Sequence, residues 1–161
     1  MSPATYNLLF LCTGNSTRSI LAEALTRHVD RGRRFHAYSA GSTPKGAVNP
    51  LVLQALKEFG IDSNGLRSKS WDEFAAPGAP VMDIVITVCD KAAAETCPVW
   101  PGQPVTAHWG MSEPEDDTDP LRRIQELVHV LRRRIELLAS LPAEKLDRLA
   151  LETRVREIGG R

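Results

Sequence analysis

Residues 9–25, LFLCTGNSTRSILAEAL, decide the fold of this chain. The apolar run from Asn7 to Cys12 is typical of a short strand that is buried on both faces. Small and hydroxyl-bearing residues follow it, and apolar residues then recur at helical spacing from Ser19 to about His28. This stretch therefore predicts a strand, a polar loop and a helix, with a cysteine at the end of the strand.

The rest of the chain continues the alternation of strands and helices. Strands are predicted at 36–39, 82–88 and 105–109, and helices at 50–59, 121–138 and 141–158. Such alternation predicts an α/β fold, with a four-stranded parallel sheet flanked by helices on both faces. A chain of 161 residues is long enough for a sizeable core. We expect a single domain over residues 1–161, with a C-terminal helical extension from about residue 141.

Composition excludes several classes of partner and compartment. Lys and Arg number 20 and so do Asp and Glu, so no net charge draws the chain to nucleic acid or to a membrane surface. The N-terminus has no basic segment, and its apolar run is too short for a signal or a membrane span. Three cysteines are too few for a disulfide scaffold. We expect a cytoplasmic protein with reduced thiols.

The polar loop after the first strand has the features of an anion site. It consists of Thr13, Gly14, Asn15, Ser16 and Thr17. Backbone N–H groups at a helix N-terminus bind anions, and the same field favours the thiolate form of Cys12. Arg18 adds a bidentate donor for a tetrahedral oxyanion, and Ser19 is placed to hydrogen-bond the sulfur. The alternative is a structural cysteine before a capped helix. Cys89 also ends an apolar strand, so both thiols are expected at the same edge of the sheet.

The motif CTGNSTRS resembles the phosphate-binding loop of low-molecular-weight protein tyrosine phosphatases. More closely, the chain resembles the arsenate reductases built on that fold. The matching segments cover most of the chain from Tyr6 to about Leu138: CTGNSTRSILAEA, AYSAG, DIVITVCD, CPVWPG and HWGMSEP. The resemblance implies a four-stranded parallel sheet with flanking helices, in agreement with the pattern of the residues.

The resemblance also implies how the three cysteines act. Cys12 attacks arsenate and forms a cysteinyl-arsenate, and Cys89 then attacks the Cys12 sulfur and releases arsenite. Cys97 forms a disulfide with Cys89, which an external reductant opens. Alternatively, a small thiol such as glutathione or mycothiol replaces one of these cysteines. No bound cofactor is implied, and the external reductant is thioredoxin, glutathione with glutaredoxin, or mycothiol.

An acid is needed to protonate the leaving oxygen. Glu113-Pro114 stands where the resemblance implies Asp-Pro, so Glu113 is the predicted acid. Its rivals Asp116, Asp117 and Asp119 are expected to begin the next helix, where acidic residues suit the helix dipole. No tyrosine follows Glu113-Pro114, which favours a small inorganic anion over phosphotyrosine.

A supporting network under the loop is also implied by the resemblance. Asn15, Glu23 and Ser39 match residues that surround a potassium ion in some relatives. Lys69 stands where those relatives carry an acidic ligand, so we expect its ammonium group in place of the ion and no metal. The alternative is that Lys69 is a solvated surface lysine.

These expectations together predict an arsenate reductase. The substrate is arsenate, with phosphate or sulfate as mimics, and the partner is thioredoxin or a small-thiol system. We expect a monomer or a weak dimer that binds neither nucleic acid nor membrane. The alternatives are a phosphatase acting on phosphoproteins or small phosphoesters, and a non-catalytic module that binds phosphate or arsenite.

Overall fold

The computed structural model describes residues 5–31, 33–88, 104–110, 118–141 and 155–158. Four strands and four helices carry labels, in chain order within each type. The strands are β1 (Tyr6–Cys12), β2 (Phe35–Gly41), β3 (Ile84–Thr87) and β4 (Val105–His108). The helices are α1 (Arg18–Asp30), α2 (Pro50–Glu58), α3 (Asp72–Ala75) and α4 (Pro120–Ala139).

The strands form one parallel sheet in the order β2-β1-β3-β4, which confirms the predicted four-stranded parallel sheet. β1 is central and pairs with β2 along its whole length, from Tyr6 opposite Phe35 to Cys12 opposite Gly41. On its other side, Leu11 is opposite Thr87 of β3. The carboxyl ends of three strands therefore meet at the edge where Cys12 lies.

Alternate residues of β1 pack on opposite faces of the sheet. Leu8 and Phe10 belong to a large apolar cluster that also holds the buried apolar residues of α1, α2 and α4. Leu9 and Leu11 belong to a smaller cluster with Phe74 of α3. Helices thus lie on both faces, as predicted, and the single turn of α3 is an element that the sequence pattern did not predict.

Two helices begin with the same local arrangement. Asn49 Oδ1 accepts a hydrogen bond from Leu51 N at 3.0 Å, and Asp119 Oδ1 accepts one from Arg122 N at 3.2 Å. Each cap is followed by a proline, which suits the first helical position because it lacks the N–H that would go unpaired there. The prediction that the acidic run begins the long helix is confirmed for Asp119.

β3 is shorter than predicted at its start. Met82 is buried but lies outside the ladder, which begins at Ile84. Asp83 ties this edge to β1, because its carboxylate accepts from Asn7 N at 2.7 Å and its N–H donates to Asn7 O at 2.9 Å. The Asp83 carboxylate thus accepts a hydrogen bond from a backbone N–H of β1, just before β3 begins at Ile84.

Residues 155–158 form a helical turn that packs against the core beside Trp109, the residue that follows β4. Val155 and Ile158 are buried in the large cluster, and Trp109 Nε1 donates a hydrogen bond to Val155 O at 3.0 Å. The rest of the predicted C-terminal extension, residues 142–154 and 159–161, lies outside the described residues. Within the described part of the chain, no helix has the length and apolar composition needed to cross a membrane.

Candidate active site

The Cys12 sulfur lies at the carboxyl end of β1 and has two hydrogen-bond partners. Ser19 Oγ is 2.8 Å from Cys12 Sγ, which confirms the predicted contact, and Asn15 N donates to the sulfur at 3.2 Å. Cys12 is only 3% exposed. A buried sulfur that receives hydrogen bonds is stabilised as the thiolate, because donors favour the charged form of an acceptor.

Asn15 holds the turn of the loop. Its φ angle of 43° is in the left-handed region, which Asn tolerates better than most residues. Its Nδ2 donates to Ser19 Oγ at 2.8 Å and to Ser39 Oγ at 3.0 Å, and its Oδ1 accepts from Lys69 N at 2.8 Å. Because Asn15 donates to Ser19 Oγ, the Ser19 hydroxyl hydrogen is left to point at the Cys12 sulfur.

The carbonyl groups of the loop are bonded from its outer side. We call residues 43–49 the outer segment, because backbone N–H groups within it donate to these carbonyls. The bonds join Thr43 N to Thr13 O at 2.9 Å, Lys45 N to Gly14 O at 2.9 Å, and Asn49 N to Ser16 O at 3.1 Å. With these carbonyls engaged outside, the loop and the positive N-terminal end of α1 suit the binding of an anion.

Gly41 is required by the close approach of β2 to the loop. A Cβ atom at this position would lie 2.4 Å from Thr13 O and 2.9 Å from both Asn15 N and Cys12 O. The sequence pattern gave no sign of this role for Gly41, which lies in the matching segment AYSAG. The outer segment was also missed, because contacts between segments about 30 residues apart leave no periodic signal.

Arg18 is the first residue of α1 and is 9% exposed. A buried guanidinium at a helix N-terminus adds a permanent charge and a planar fork of donors to the positive end of the helix dipole. The arrangement of Cys12, the loop and Arg18 can therefore bind a tetrahedral oxyanion beside a nucleophilic sulfur.

Glu23 joins the loop network to two cations. Ser39 Oγ donates to Glu23 Oε1 at 2.6 Å, Lys69 Nζ lies 3.7 Å from the same oxygen, and Arg27 Nη2 lies 2.7 Å from Oε2. Lys69 is 8% exposed, so the alternative of a solvated surface lysine is wrong. Burial lowers the pKa of Lys69, and the charge of Glu23 opposes that shift.

The remaining predicted site residues lie outside the described residues: Cys89, Cys97, Glu113 and the rivals Asp116 and Asp117. Cys89 directly follows Val88, whose N–H donates to Leu11 O at 2.8 Å. Among the described residues, no group of three or more His, Cys, Asp or Glu side chains could hold a metal ion.

Comparisons with known proteins identify the family of this chain. The family model described as low molecular weight phosphotyrosine protein phosphatase matches residues 7–148. An arsenate reductase of Halalkalibacterium halodurans is 39% identical over 107 residues, which are 66% of this chain and 73% of that protein.

Two solved structures are similar to this chain over most of its length. One, described as an arsenate reductase in the phosphate binding state, has a TM-score of 0.70 and 25% identity over 84% of this chain and 98% of its own. A thioredoxin-dependent arsenate reductase of Corynebacterium glutamicum has a TM-score of 0.61 and 29% identity, and the match covers 81% of this chain and 60% of that one. The chain belongs to the low molecular weight phosphotyrosine protein phosphatase family, and its similarity to arsenate reductases places it beside them within that fold.

Proposed function

We propose that this protein reduces arsenate to arsenite, with Cys12 as the nucleophile. The observation that carries the proposal is the Cys12 sulfur, which lies 2.8 Å from Ser19 Oγ and 3.2 Å from Asn15 N within a loop whose carbonyls bond outward. The relatives named as arsenate reductases support the choice of substrate. The reducing cytoplasm, where thiols stay free, is the compartment that suits this chemistry.

The first step is attack by the Cys12 thiolate on arsenic. A sulfur–arsenic bond forms, and one oxygen leaves as water after it is protonated. In this proposal Arg18 and the N–H groups of the loop stabilise the charge on the remaining oxygens. Glu113 supplies the proton, as its position before Pro114 implies.

The second step moves the electrons. The Cys89 thiolate attacks the Cys12 sulfur, the sulfur–arsenic bond breaks, and its electron pair leaves with arsenite. Arsenic is thereby reduced by two electrons while two thiols become a disulfide. Cys97 then attacks Cys89, which frees Cys12, and an external dithiol reduces the Cys89–Cys97 disulfide.

The test is arsenite release by the purified protein with three reductant systems in separate reactions. The systems are thioredoxin with its reductase, glutathione with glutaredoxin, and mycothiol. We expect catalytic arsenite formation with one of them, and the thioredoxin-dependent relative favours the first.

Cys89→Ser should stop arsenite release and leave hydrolysis of an aryl phosphate mostly intact, because a phosphatase regenerates its cysteine with water. Full arsenate reduction by Cys89→Ser would overturn the role of Cys89, since another thiol would then attack the Cys12 sulfur. Hydrolysis of the aryl phosphate without arsenite release in any reductant system would return the chain to the phosphatase alternative.

Cys97→Ser distinguishes the internal disulfide from a small-thiol route. If Cys97 closes the relay, this variant should release arsenite once and then stop. Mass spectrometry of the wild type after arsenate should then show a Cys89–Cys97 cross-link with two hydrogens lost. If a small thiol resolves the intermediate, Cys97→Ser should retain turnover, and a mixed disulfide should appear instead.

A further inference from the structure

Lys45 lies in the outer segment, and its side chain rests against Gly14 of the anion loop. We propose that Lys45 is a second cationic residue of the oxyanion site: it attracts the anion to the loop and raises its affinity. This inference rests on the oxyanion-binding part of the proposed function, and it is independent of whether the bound anion is later reduced or hydrolysed.

The backbone fixes Lys45 relative to the loop. Lys45 N donates to Gly14 O, and two residues earlier Thr43 N donates to Thr13 O, both at 2.9 Å. Pro44, whose ring locks its φ angle, lies between these two bonds. The Cα atom of Lys45 is therefore held in register with the loop before any anion binds.

The side chain of Lys45 follows the loop because residue 14 is a glycine. The Cε, Cγ and Cδ atoms of Lys45 lie 3.2, 3.4 and 3.5 Å from the position that a Cβ atom of residue 14 would take. The ammonium nitrogen is one C–N bond, about 1.45 Å, beyond Cε and so remains within about 5 Å of that position. A cationic group thus lies beside the loop that holds Cys12.

Arg18 and Lys45 differ in burial, and this difference assigns them different tasks. Arg18 is 9% exposed and suits direct, bidentate binding of the oxyanion. Lys45 is exposed, so its charge acts on an anion that is still in water. The net charge of the chain is zero, so a local charge is needed to attract a small anion. Salt screens an exposed charge over about 10 Å at 0.1 M ionic strength, which makes the contribution of Lys45 sensitive to salt.

The experiment measures anion binding through protection of Cys12. Iodoacetamide alkylates Cys12, inorganic phosphate slows the reaction, and mass spectrometry of the Cys12 peptide gives the apparent Kd for phosphate. Lys45→Met keeps the apolar stem and removes the charge, and Lys45→Arg keeps the charge. Lys57→Met is the matched control, because Lys57 is also exposed but lies near the far end of α2.

At low salt, we expect Lys45→Met to weaken phosphate binding roughly tenfold, the lower end of electrostatic focusing effects. Lys45→Arg and Lys57→Met should bind as the wild type does, and the tenfold difference should shrink toward one as salt is raised. If arsenate is turned over, Lys45→Met should raise KM and leave kcat unchanged.

Equal Kd values for Lys45→Met and the wild type at low salt would overturn the role of Lys45. A difference that salt does not reduce would also overturn it, since a cause other than attraction of the anion by the Lys45 charge would then be responsible. If phosphate does not protect Cys12 in the wild type, the proposal of an oxyanion site is wrong, and so is the role of Lys45. Normal protection without arsenite release in any reductant system would instead overturn only the reductase proposal.

Discussion

The ammonium nitrogen of Lys69 lies 3.7 Å from Glu23 Oε1, and both side chains are almost completely buried. The pair stands under the anion loop, because Ser39 links Glu23 to Asn15, and Asn15 donates to the Cys12 sulfur. A buried charge without a partner is costly, so the loop depends on this pair for its support.

Removing one partner of the Lys69–Glu23 pair should destabilise the fold. We expect Lys69→Met to lower the free energy of unfolding by about 3 kcal/mol, the low end for a broken buried ion pair, since Arg27 still contacts Glu23 at 2.7 Å. The double variant with Glu23→Gln should lose clearly less than the sum of the two single variants. Urea unfolding measures all three changes.

The exposed pair Arg132–Glu136 is the matched control, with N and O atoms 3.0 Å apart. Its double-mutant cycle should give a coupling energy of less than about 1 kcal/mol. If the losses of the Lys69 and Glu23 single variants add up to the loss of the double variant within about 0.5 kcal/mol, the buried pair is not coupled.

The free energy of unfolding should depend on pH because the amine of Lys69 is buried. Burial lowers the pKa of Lys69 below its ordinary value of 10.5. Between the folded-state pKa and about 10.5 the unfolded chain binds more protons, so the free energy of unfolding rises with pH there. We therefore expect wild type to gain stability relative to Lys69→Met as pH rises from about 7 to about 10. Urea unfolding at both pH values measures the difference, and a constant difference would contradict the expectation.

Ser19 should control the reactivity of Cys12. Ser19→Ala removes the hydroxyl that lies 2.8 Å from the sulfur, and a hydrogen bond to a charged group contributes roughly 1.5–3 kcal/mol. The pH midpoint of Cys12 alkylation by iodoacetamide should rise by about one unit or more. Ser42→Ala is the control, because Ser42 Oγ is buried and has no hydrogen-bond partner among the described residues. An unchanged midpoint in Ser19→Ala would mean that the hydroxyl does not stabilise the thiolate.

Gly41 should be intolerant of even one added methyl group. In Gly41→Ala the new Cβ atom would meet Thr13 O at 2.4 Å, and backbone cannot move aside as a side chain can. We expect a loss of about 3 kcal/mol in the free energy of unfolding, the upper end for overpacking, together with weaker phosphate protection of Cys12. At Gly14 the three described atoms nearest to an added Cβ all belong to the flexible side chain of Lys45, so Gly14→Ala should lose less than about 1 kcal/mol. Equal losses in the two variants would contradict this account.

The sequence predicted the elements with strong periodicity and missed those that are short or depend on distant contacts. β1 and α4 were predicted to within a few residues, because their apolar patterns are long and regular. α3 has only four residues, too few for a helical period to appear.

At the candidate site too, local contacts were predictable from the sequence and distant ones were not. The contact between Cys12 and Ser19 followed from the local motif, since both residues belong to one loop and helix start. The grouping of Glu23 with Ser39 and Lys69 came from the resemblance, because no local rule brings Lys69 to a residue 46 positions earlier. The outer segment and the fit of Lys45 to Gly14 depend on tertiary contacts alone, so only the folded chain reveals them.

The central position of β1 has a consequence for any disulfide that Cys12 forms. Parallel partners hold this strand on both sides, and Leu8, Phe10 and their neighbours in β1 are fully buried. A disulfide needs its two Cα atoms within about 7 Å, and the neighbours of β1 leave the backbone of Cys12 little room to move toward a second thiol. In a redox cycle we therefore expect Cys12 to be the stationary cysteine. The backbone of Cys12 should superpose closely between the reduced and oxidised protein.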